Sequence, residues 1–297
     1  MWDVSVSGSS SGVGVESPPE FSVPPLAPPQ STYRQSTYPG VHAEVGRYRL
    51  RLAQSVEDRD AVCRLRFKVF NIELGKGLEA SYETGLDTDQ FDLFCEHLLV
   101  EDKFDRRIVG TYRMQSGMTA ARNLGYYSEQ EFDFSPYEAL RPGILELGRA
   151  SIDREHRTPE VLTLLWRGIA QYATNMQLRY LIGCSSLNSV DPLEGWQMYR
   201  QLDHYRAAED LQTRPAAKFV CPDEHVAAIA GPEADSTDGA NSASVKVPKL
   251  LKTYLAIGAR ICSAPAWDRE FGTIDFLTLL DLKAISPSAR NRFLAPL

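Results

Sequence analysis

Apolar and polar positions alternate with period two from Tyr48 to Leu52, which predicts a strand buried on one face. Ser55-Val56-Glu57-Asp58 follows as a capping box, opening a helix with Val62, Leu65, Val69 and Phe70 on its apolar face and an end near Gly75. Two apolar runs, His97 to Val100 and Ile108 to Met114, flank the polar stretch Asp102 to Arg107 and read as an antiparallel hairpin. Ile144 to Ile152 is the central strand. Thr158-Pro159 then supplies an N-cap and a proline at the first helical position, after which Val161, Leu162, Leu165, Ile169, Tyr172, Ala173 and Met176 recur at helical spacing. A buried strand, Tyr180 to Ser186, a helix over Glu194 to Gln201, a helix near Pro248 to Ile257 and a strand near Ile274 to Leu280 complete the pattern. This order predicts an α/β (α+β) fold, a mixed central sheet with helices on both faces.

The first 46 residues stand apart, being rich in Ser, Gly and Pro with no hydrophobic period to bury, and read as a disordered tail ahead of a domain over 47–297. A second such stretch, at about 223–244, gathers Asp223, Glu224, Glu233, Asp235 and Asp238 without any Lys or Arg, and reads as a mobile acidic insertion. A chain of 297 residues, 43% of them hydrophobic, is long enough for one sizeable core. Its net charge of -7, with no basic stripe, argues against nucleic acid as the main partner. No apolar run approaches the roughly 18 residues that span a bilayer, and the start of the chain has no basic flank with an apolar core. A cytoplasmic protein is expected, with room left for peripheral contact with the inner membrane. Cys63, Cys95, Cys184, Cys221 and Cys262 are odd in number and scattered, so they signal neither a disulfide framework nor a metal site.

The chemistry concentrates in Leu145-Glu146-Leu147-Gly148-Arg149-Ala150-Ser151-Ile152-Asp153, where a carboxylate and a guanidinium sit three apart inside an apolar strand. Strict alternation sends Glu146 and Arg149 to opposite faces, whereas a bulge at the intervening glycine brings them toward one site. A cross-strand ion pair at a sheet end is the structural alternative. Cys184 lies in an apolar strand with no His beside it and reads as an inert buried thiol. His97 reads as structural, and Trp166 and Met176 as core.

Seven blocks in order carry a resemblance: Arg66-Phe67-Lys68-Val69-Phe70, Asp87-Thr88-Asp89-Gln90-Phe91-Asp92, His97-Leu98-Leu99-Val100, Val109-Gly110-Thr111-Tyr112-Arg113, Glu146-Leu147-Gly148-Arg149, Leu164-Leu165-Trp166-Arg167-Gly168-Ile169 and Ile182-Gly183-Cys184-Ser185-Ser186. Over about residues 48 to 285 the chain resembles the L-ornithine Nα-acyltransferases, GNAT-fold enzymes also labelled hemolysin-like. It is more distantly similar to the acyl-homoserine-lactone synthases through Arg66, Phe70, Asp89, Asp92, Arg113, Glu146 and Arg149. Those synthases carry a Trp soon after the Phe, and here Asn71-Ile72-Glu73-Leu74-Gly75-Lys76 stands in its place, which favours a free amino acid as the acceptor. Acetyl-CoA-dependent relatives place a Gly-rich pyrophosphate cradle after the central strand, but Glu155-His156-Arg157-Thr158-Pro159-Glu160 has no glycine.

The resemblance implies transfer of a fatty acyl group, 3-hydroxylated or not, from acyl carrier protein to the α-amino group of ornithine, giving lyso-ornithine lipid. No cofactor is implied, the acyl-phosphopantetheine arm being a co-substrate. Glu146 is the implied general base and Arg149 its catalytic neighbour, while Arg66, Phe70, Asp89, Asp92, Arg113 and Ser185 are implied to bind substrate. Within that set arginines would hold the acceptor carboxylate and aspartates a distal ammonium. An internal ion-pair network that orders the loop from about Gly75 to Phe94 is the alternative. Two other functions stay open: an N-acyl amino acid synthase with another acceptor such as Tyr or Gly, and a non-catalytic lipid- or partner-binding relative.

Overall fold

The computed structural model describes residues 40–223 and 244–293. Its centre is a nine-stranded sheet: β1 (His42–Val45), β2 (Tyr48–Leu52), β3 (Glu96–Asp102), β4 (Ile108–Ser116), β5 (Ile144–Ile152), β6 (Tyr180–Leu187), β7 (Arg260–Ile261), β8 (Ala266–Asp268) and β9 (Thr273–Asp281). The spatial order is β1-β2-β3-β4-β5-β6-β9, with β7 and β8 sharing the far edge of β9. Every pairing is antiparallel except that of β5 with β6. The parallel step follows from the connection, since β5 returns to β6 through helix α4 (Pro159–Asn175) rather than through a tight turn.

The pleat distributes the core. Leu98 and Val100 of β3 join Val161, Leu165 and Ile169 of α4 in the main cluster, while Leu99 between them packs with Val62 of α1 (Val56–Phe67) on the opposite face. Ser55 caps α1 by accepting from the Asp58 amide, and Thr158 caps α4 in the same way at Val161. The mixed sheet with helices on both faces is thus what the pattern predicts, and the central strand runs over Ile144–Ile152 as expected.

Three details differ. The predicted first helix changes character at Lys68, where a wider π turn over Lys68–Glu73 replaces α geometry, a local device frequent near functional sites. Strand β1 begins at His42, inside the stretch read as tail, and pairs along all of its length with β2. It escaped notice because its side chains are mostly exposed and show no apolar alternation. The remainder of that stretch, and the acidic insertion except for its ends, lie outside the described residues. Finally, the connection from β4 to β5 is ordered as helix α3 (Gly117–Arg122) and a series of 3-10 turns, gathered on Tyr126, Phe132, Phe134 and Tyr137. Helices α2 (Ser81–Thr84), α5 (Pro192–Gln201), α6 (Lys249–Ala256) and α7 (Pro287–Phe293) complete the set. No helix among the described residues is long and apolar enough to cross a membrane.

Candidate active site

Strands β5 and β6 are partners only from Ile144 to Glu146 and from Tyr180 to Ile182, and beyond that point they part. Gly183 sits at the fork: a Cβ there would lie 2.2 Å from the Leu147 carbonyl oxygen, so only glycine permits the two backbones to approach before separating. The wedge between them is a cavity of about 350 Å³, walled by Leu147 to Ala150 on one side and Gly183 to Ser186 on the other. Its deeper lining is largely apolar and aromatic, with Tyr112, Trp166 and, from α6, Leu251 and Tyr254. Gly183→Ala is therefore expected to force the fork open, costing about 1–3 kcal/mol as overpacking does. A thermal melt together with kcat/KM would register both effects, and unchanged values would mean that the fork is not under this constraint.

The bulge inferred from the Glu-x-x-Arg spacing is present, for the register of β4 with β5 slips between Thr111 opposite Ser151 and Arg113 opposite Gly148. The left-handed residue is Arg149, at φ 51, and not the glycine before it. Gly148 has open space where a side chain would be, so its small size is not what forms the bulge. A non-glycine residue held at positive φ costs roughly 1 kcal/mol or more. Here ion pairs hold it, Arg149 Nη2 to Asp89 at 3.1 Å and Nε to Asp87 at 3.8 Å, with Tyr127 and Phe271 rings against the guanidinium.

Glu146 lines the cavity and is buried. Its Oε2 accepts from the Tyr127 amide at 2.9 Å, and its Oε1 from the Ser128 amide at 2.8 Å and the Ser128 hydroxyl at 2.5 Å. Burial pushes its carboxyl up while those donors pull it down, and burial prevails. Glu146 thus anchors the turn that carries Tyr127, and three of about four lone-pair sites are in use.

Arg66, Arg113, Asp89 and Asp92 are brought together, yet the geometry pairs them with one another. Arg66, fully buried, bonds Asp87 at 2.7 Å and grips Asp92 through both terminal nitrogens at 2.7 and 3.0 Å. Arg113 bonds Asp89 at 2.6 Å and Asp92 at 3.2 Å. The adjacent guanidinium groups hold the Asp92 carboxyl far below the usual carboxylate range despite its burial. Asp89 and Asp92 also cap the 3-10 turn Gln90–Leu93 reciprocally. Three arginines and three aspartates thus cancel and order the loop, which is the alternative that the sequence left open. Of this set only Arg113 and Arg149 line the cavity, together with Phe70 from the π turn. Ser185 lines it too, its hydroxyl 3.1 Å from that of Thr278. His97 is buried behind the network, its ring pushed down to about 4 by burial and therefore neutral. Cys184 is held as a thiol, raised by burial and by Glu131 beside it.

Sequence reasoning missed Glu131, Asp268 and Asp275, three buried carboxylates on the cavity wall whose oxygens lie within 4.8 Å of one another. Burial and mutual repulsion push Asp275 up to about 6 and Glu131 well above its ordinary value. One signal was available: Ile274-Asp275-Phe276 is a carboxylate inside an apolar strand, the feature that singled out Glu146.

A family model described as an acetyltransferase (GNAT) domain matches residues 65–167, from the first helix through the central strand to α4. The L-ornithine N(alpha)-acyltransferase of Agrobacterium fabrum is 33% identical over 256 residues, which cover 83% of this chain and 85% of that protein. Among solved structures, the N-acyl amino acid synthase FeeM from uncultured soil microbes superposes with a TM-score of 0.48 at 12% identity, covering 84% of this chain and 97% of that one. The AHL synthase LasI gives a TM-score of 0.46 at 11% identity, covering 84% and 96%. The chain is an acyltransferase of GNAT fold and belongs to the L-ornithine Nα-acyltransferase family.

Proposed function

We propose that this enzyme transfers a fatty acyl group from acyl carrier protein to the α-amino group of ornithine, yielding lyso-ornithine lipid. The observation that carries the reading is the fork of β5 and β6, which puts Glu146 and Arg149 on the wall of one largely apolar cavity. The acyl chain occupies the apolar depth between Trp166, Leu251 and Tyr254, and its thioester lies at the fork. There the main-chain groups of Leu147 to Ala150 have lost β6 as a partner, and amides facing the cavity are suited to the oxyanion of a tetrahedral intermediate.

Ornithine reaches the site as an ammonium and must lose a proton before it can attack. Glu146 takes that proton through its remaining lone pair, its basicity increased by burial. The freed amine attacks the thioester carbonyl and forms the C–N bond; the nitrogen then gives up a second proton as the C–S bond breaks, one of the two protons leaving on the phosphopantetheine sulfur and the other passing to solvent. No covalent enzyme intermediate is needed, in keeping with the protonated Cys184.

For the donor, α6 is informative because Pro248, Leu250, Leu251 and Tyr254 line the cavity while Lys246, Lys249 and Lys252 beside them are exposed and form no ion pair among the described residues. A basic rim of this kind suits an acidic carrier protein. Charges on a rim act chiefly on association and are screened over about 8 Å at physiological salt. Catalytic efficiency with acyl carrier protein should therefore fall as salt rises, and Lys249→Glu with Lys252→Glu should raise the donor KM about tenfold with little change in kcat. Mass spectrometry of the product formed by the purified enzyme tests the whole reading. An acyl-ornithine formed from the carrier-protein donor supports it. Equal efficiency with acyl-CoA, unaffected by salt or by the double reversal, would remove the carrier protein.

A further inference from the structure

Glu131, Asp268 and Asp275 come from three distant segments: the loop after the 3-10 turn Tyr127–Gln130, the end of β8 and the start of β9. They are 2%, 4% and 3% exposed. Their hydrogen bonds come from neutral groups: Glu131 Oε2 accepts from Cys184 Sγ at 3.6 Å, Asp268 Oδ1 from the Glu270 and Phe271 amides at 2.9 and 3.0 Å, and Asp275 Oδ2 from the Thr273 hydroxyl at 3.1 Å. No Lys or Arg of the described residues forms an ion pair with any of the three, since Arg149 spends its pairs on Asp87 and Asp89. Asp275 Oδ1 is buried on the cavity wall without a well-formed hydrogen bond among the described residues, though the Ser186 hydroxyl opposite it in the sheet is near enough to pull the carboxyl down.

The contrast with the neighbouring network is physical. There every buried carboxylate is paired with a guanidinium, whereas here three carboxyl groups share a wall with no ion pair among the described residues, Arg149 acting on them only without pairing. Such an arrangement is costly unless a cation arrives with the ligand. An ammonium donating three hydrogen bonds of about 2.9 Å at tetrahedral angles spaces its acceptors about 4.7 Å apart. The 4.8 Å envelope of the three oxygens accommodates that. A divalent metal draws its oxygens to about 2.0–2.6 Å, an arrangement the same envelope admits, so a metal ion is one outcome of the test below.

We propose that Glu131, Asp268 and Asp275 form the subsite for the side-chain ammonium of a diamino acid acceptor, and that this subsite sets acceptor specificity. The inference rests on the acyl-transfer reading above and adds the residues that make the acceptor a diamine. Ligand binding supplies the charge that the empty cluster lacks. At pH 7 without ligand the cluster costs stability. Asp275 has its folded value raised from 3.8 to about 6, so whatever it contributes is full below the lower value and lost as pH rises through the upper one. The groups facing it are Glu131 and Asp268, with Ser186, Thr273 and Arg149.

The test compares ornithine with norvaline, which has the same carbon chain without the terminal amine, on the full chain. The wild type should favour ornithine by about 100-fold or more in kcat/KM, because a site built for a charged donor leaves its carboxylates unpaired around a methyl group. Glu131→Gln with Asp275→Asn should bring that ratio below about 10, mainly through a higher ornithine KM, while raising the melting temperature at pH 7 by a few degrees. An unchanged ratio in the folded variant would overturn the subsite. So would equal use of both acceptors by the wild type, which needs no variant to fold. Calorimetric binding of Mg²⁺ or Ca²⁺ alone that disappears in the variant would overturn it in favour of a metal site. Formation of no acyl amide with either acceptor would instead bring down the acyl-transfer reading, and the subsite with it.

Discussion

Glu146→Gln should lower kcat by about 10²- to 10⁴-fold, the usual worth of a positioned general base. The change is nearly isosteric, but Glu146 has two duties and the variant touches both. A glutamine oxygen can still accept from the Ser128 amide and hydroxyl, whereas its NH₂ group would face the Tyr127 amide, donor against donor. Some of the loss would then come from a displaced turn, and the pH profile separates the two contributions. A base must be ionised to act, and burial raises the Glu146 carboxyl, so wild-type kcat/KM should climb with pH as that proton leaves. Removing the base abolishes this lower limb. Displacing the turn scales the whole profile without changing its shape. Near-normal rates between about pH 7 and 9 in the variant would sink the assignment and leave Glu146 an anchor of the Tyr127 turn.

Much of the framework was legible because single residues dominate it. Thr158-Pro159 announces α4 by cap and by proline, and the apolar run from Ile144 to Ile152 is too long and too β-branched at its ends for a loop. The Glu-x-x-Arg spacing made a bulge one of its two readings, and one is there, although the backbone strain sits on Arg149 where glycine seemed the natural carrier. Periodicity could not reveal the π turn, since six residues are too few to distinguish its pitch from that of an α-helix. Nor could it show β1, whose exposed side chains carry no pattern.

The site was legible as residues but not as pairings. Arg66, Asp89, Asp92 and Arg113 stood out in sequence, and whether they face substrate or each other depends on distances that no spacing encodes. Among the described residues Glu131, Asp268 and Asp275 are buried carboxylates that form no ion pair, and they lie more than 130 residues apart at the extremes. Of these only Asp275 lies within an apolar strand, and the other two occupy segments of unremarkable polarity. The aspartates that the resemblance implied for a distal ammonium, Asp89 and Asp92, are occupied by arginine.

Arg66→Met should be strongly destabilising. Arg66 is fully buried and donates to Asp87 and to both oxygens of Asp92, so its removal leaves Asp92 with Arg113 alone and Asp87 with only the 3.8 Å pair to Arg149. Breaking a buried pair from one side costs about 3–5 kcal/mol, far more than the intact pair contributes against an apolar replacement, because the remaining charge has lost its water and its main partner. For a domain of this size that lowers the melting temperature by roughly 10 °C. The loss should propagate, since Asp92 also holds Arg113 and bonds the Asp89 amide, and Asp89 in turn holds Arg149 in its left-handed conformation at the bulge. Activity should fall with the bulge, although Arg66 does not line the cavity. Thermal melts and steady-state kinetics at a temperature where the variant is folded decide between the two readings of this arginine. A higher acceptor KM with an unchanged melting temperature would mean that Arg66 meets substrate and that the network rearranges when it binds. A lower melting temperature, partly recovered by adding Asp92→Asn to relieve one stranded charge, is the outcome expected of a residue that shapes the site from behind.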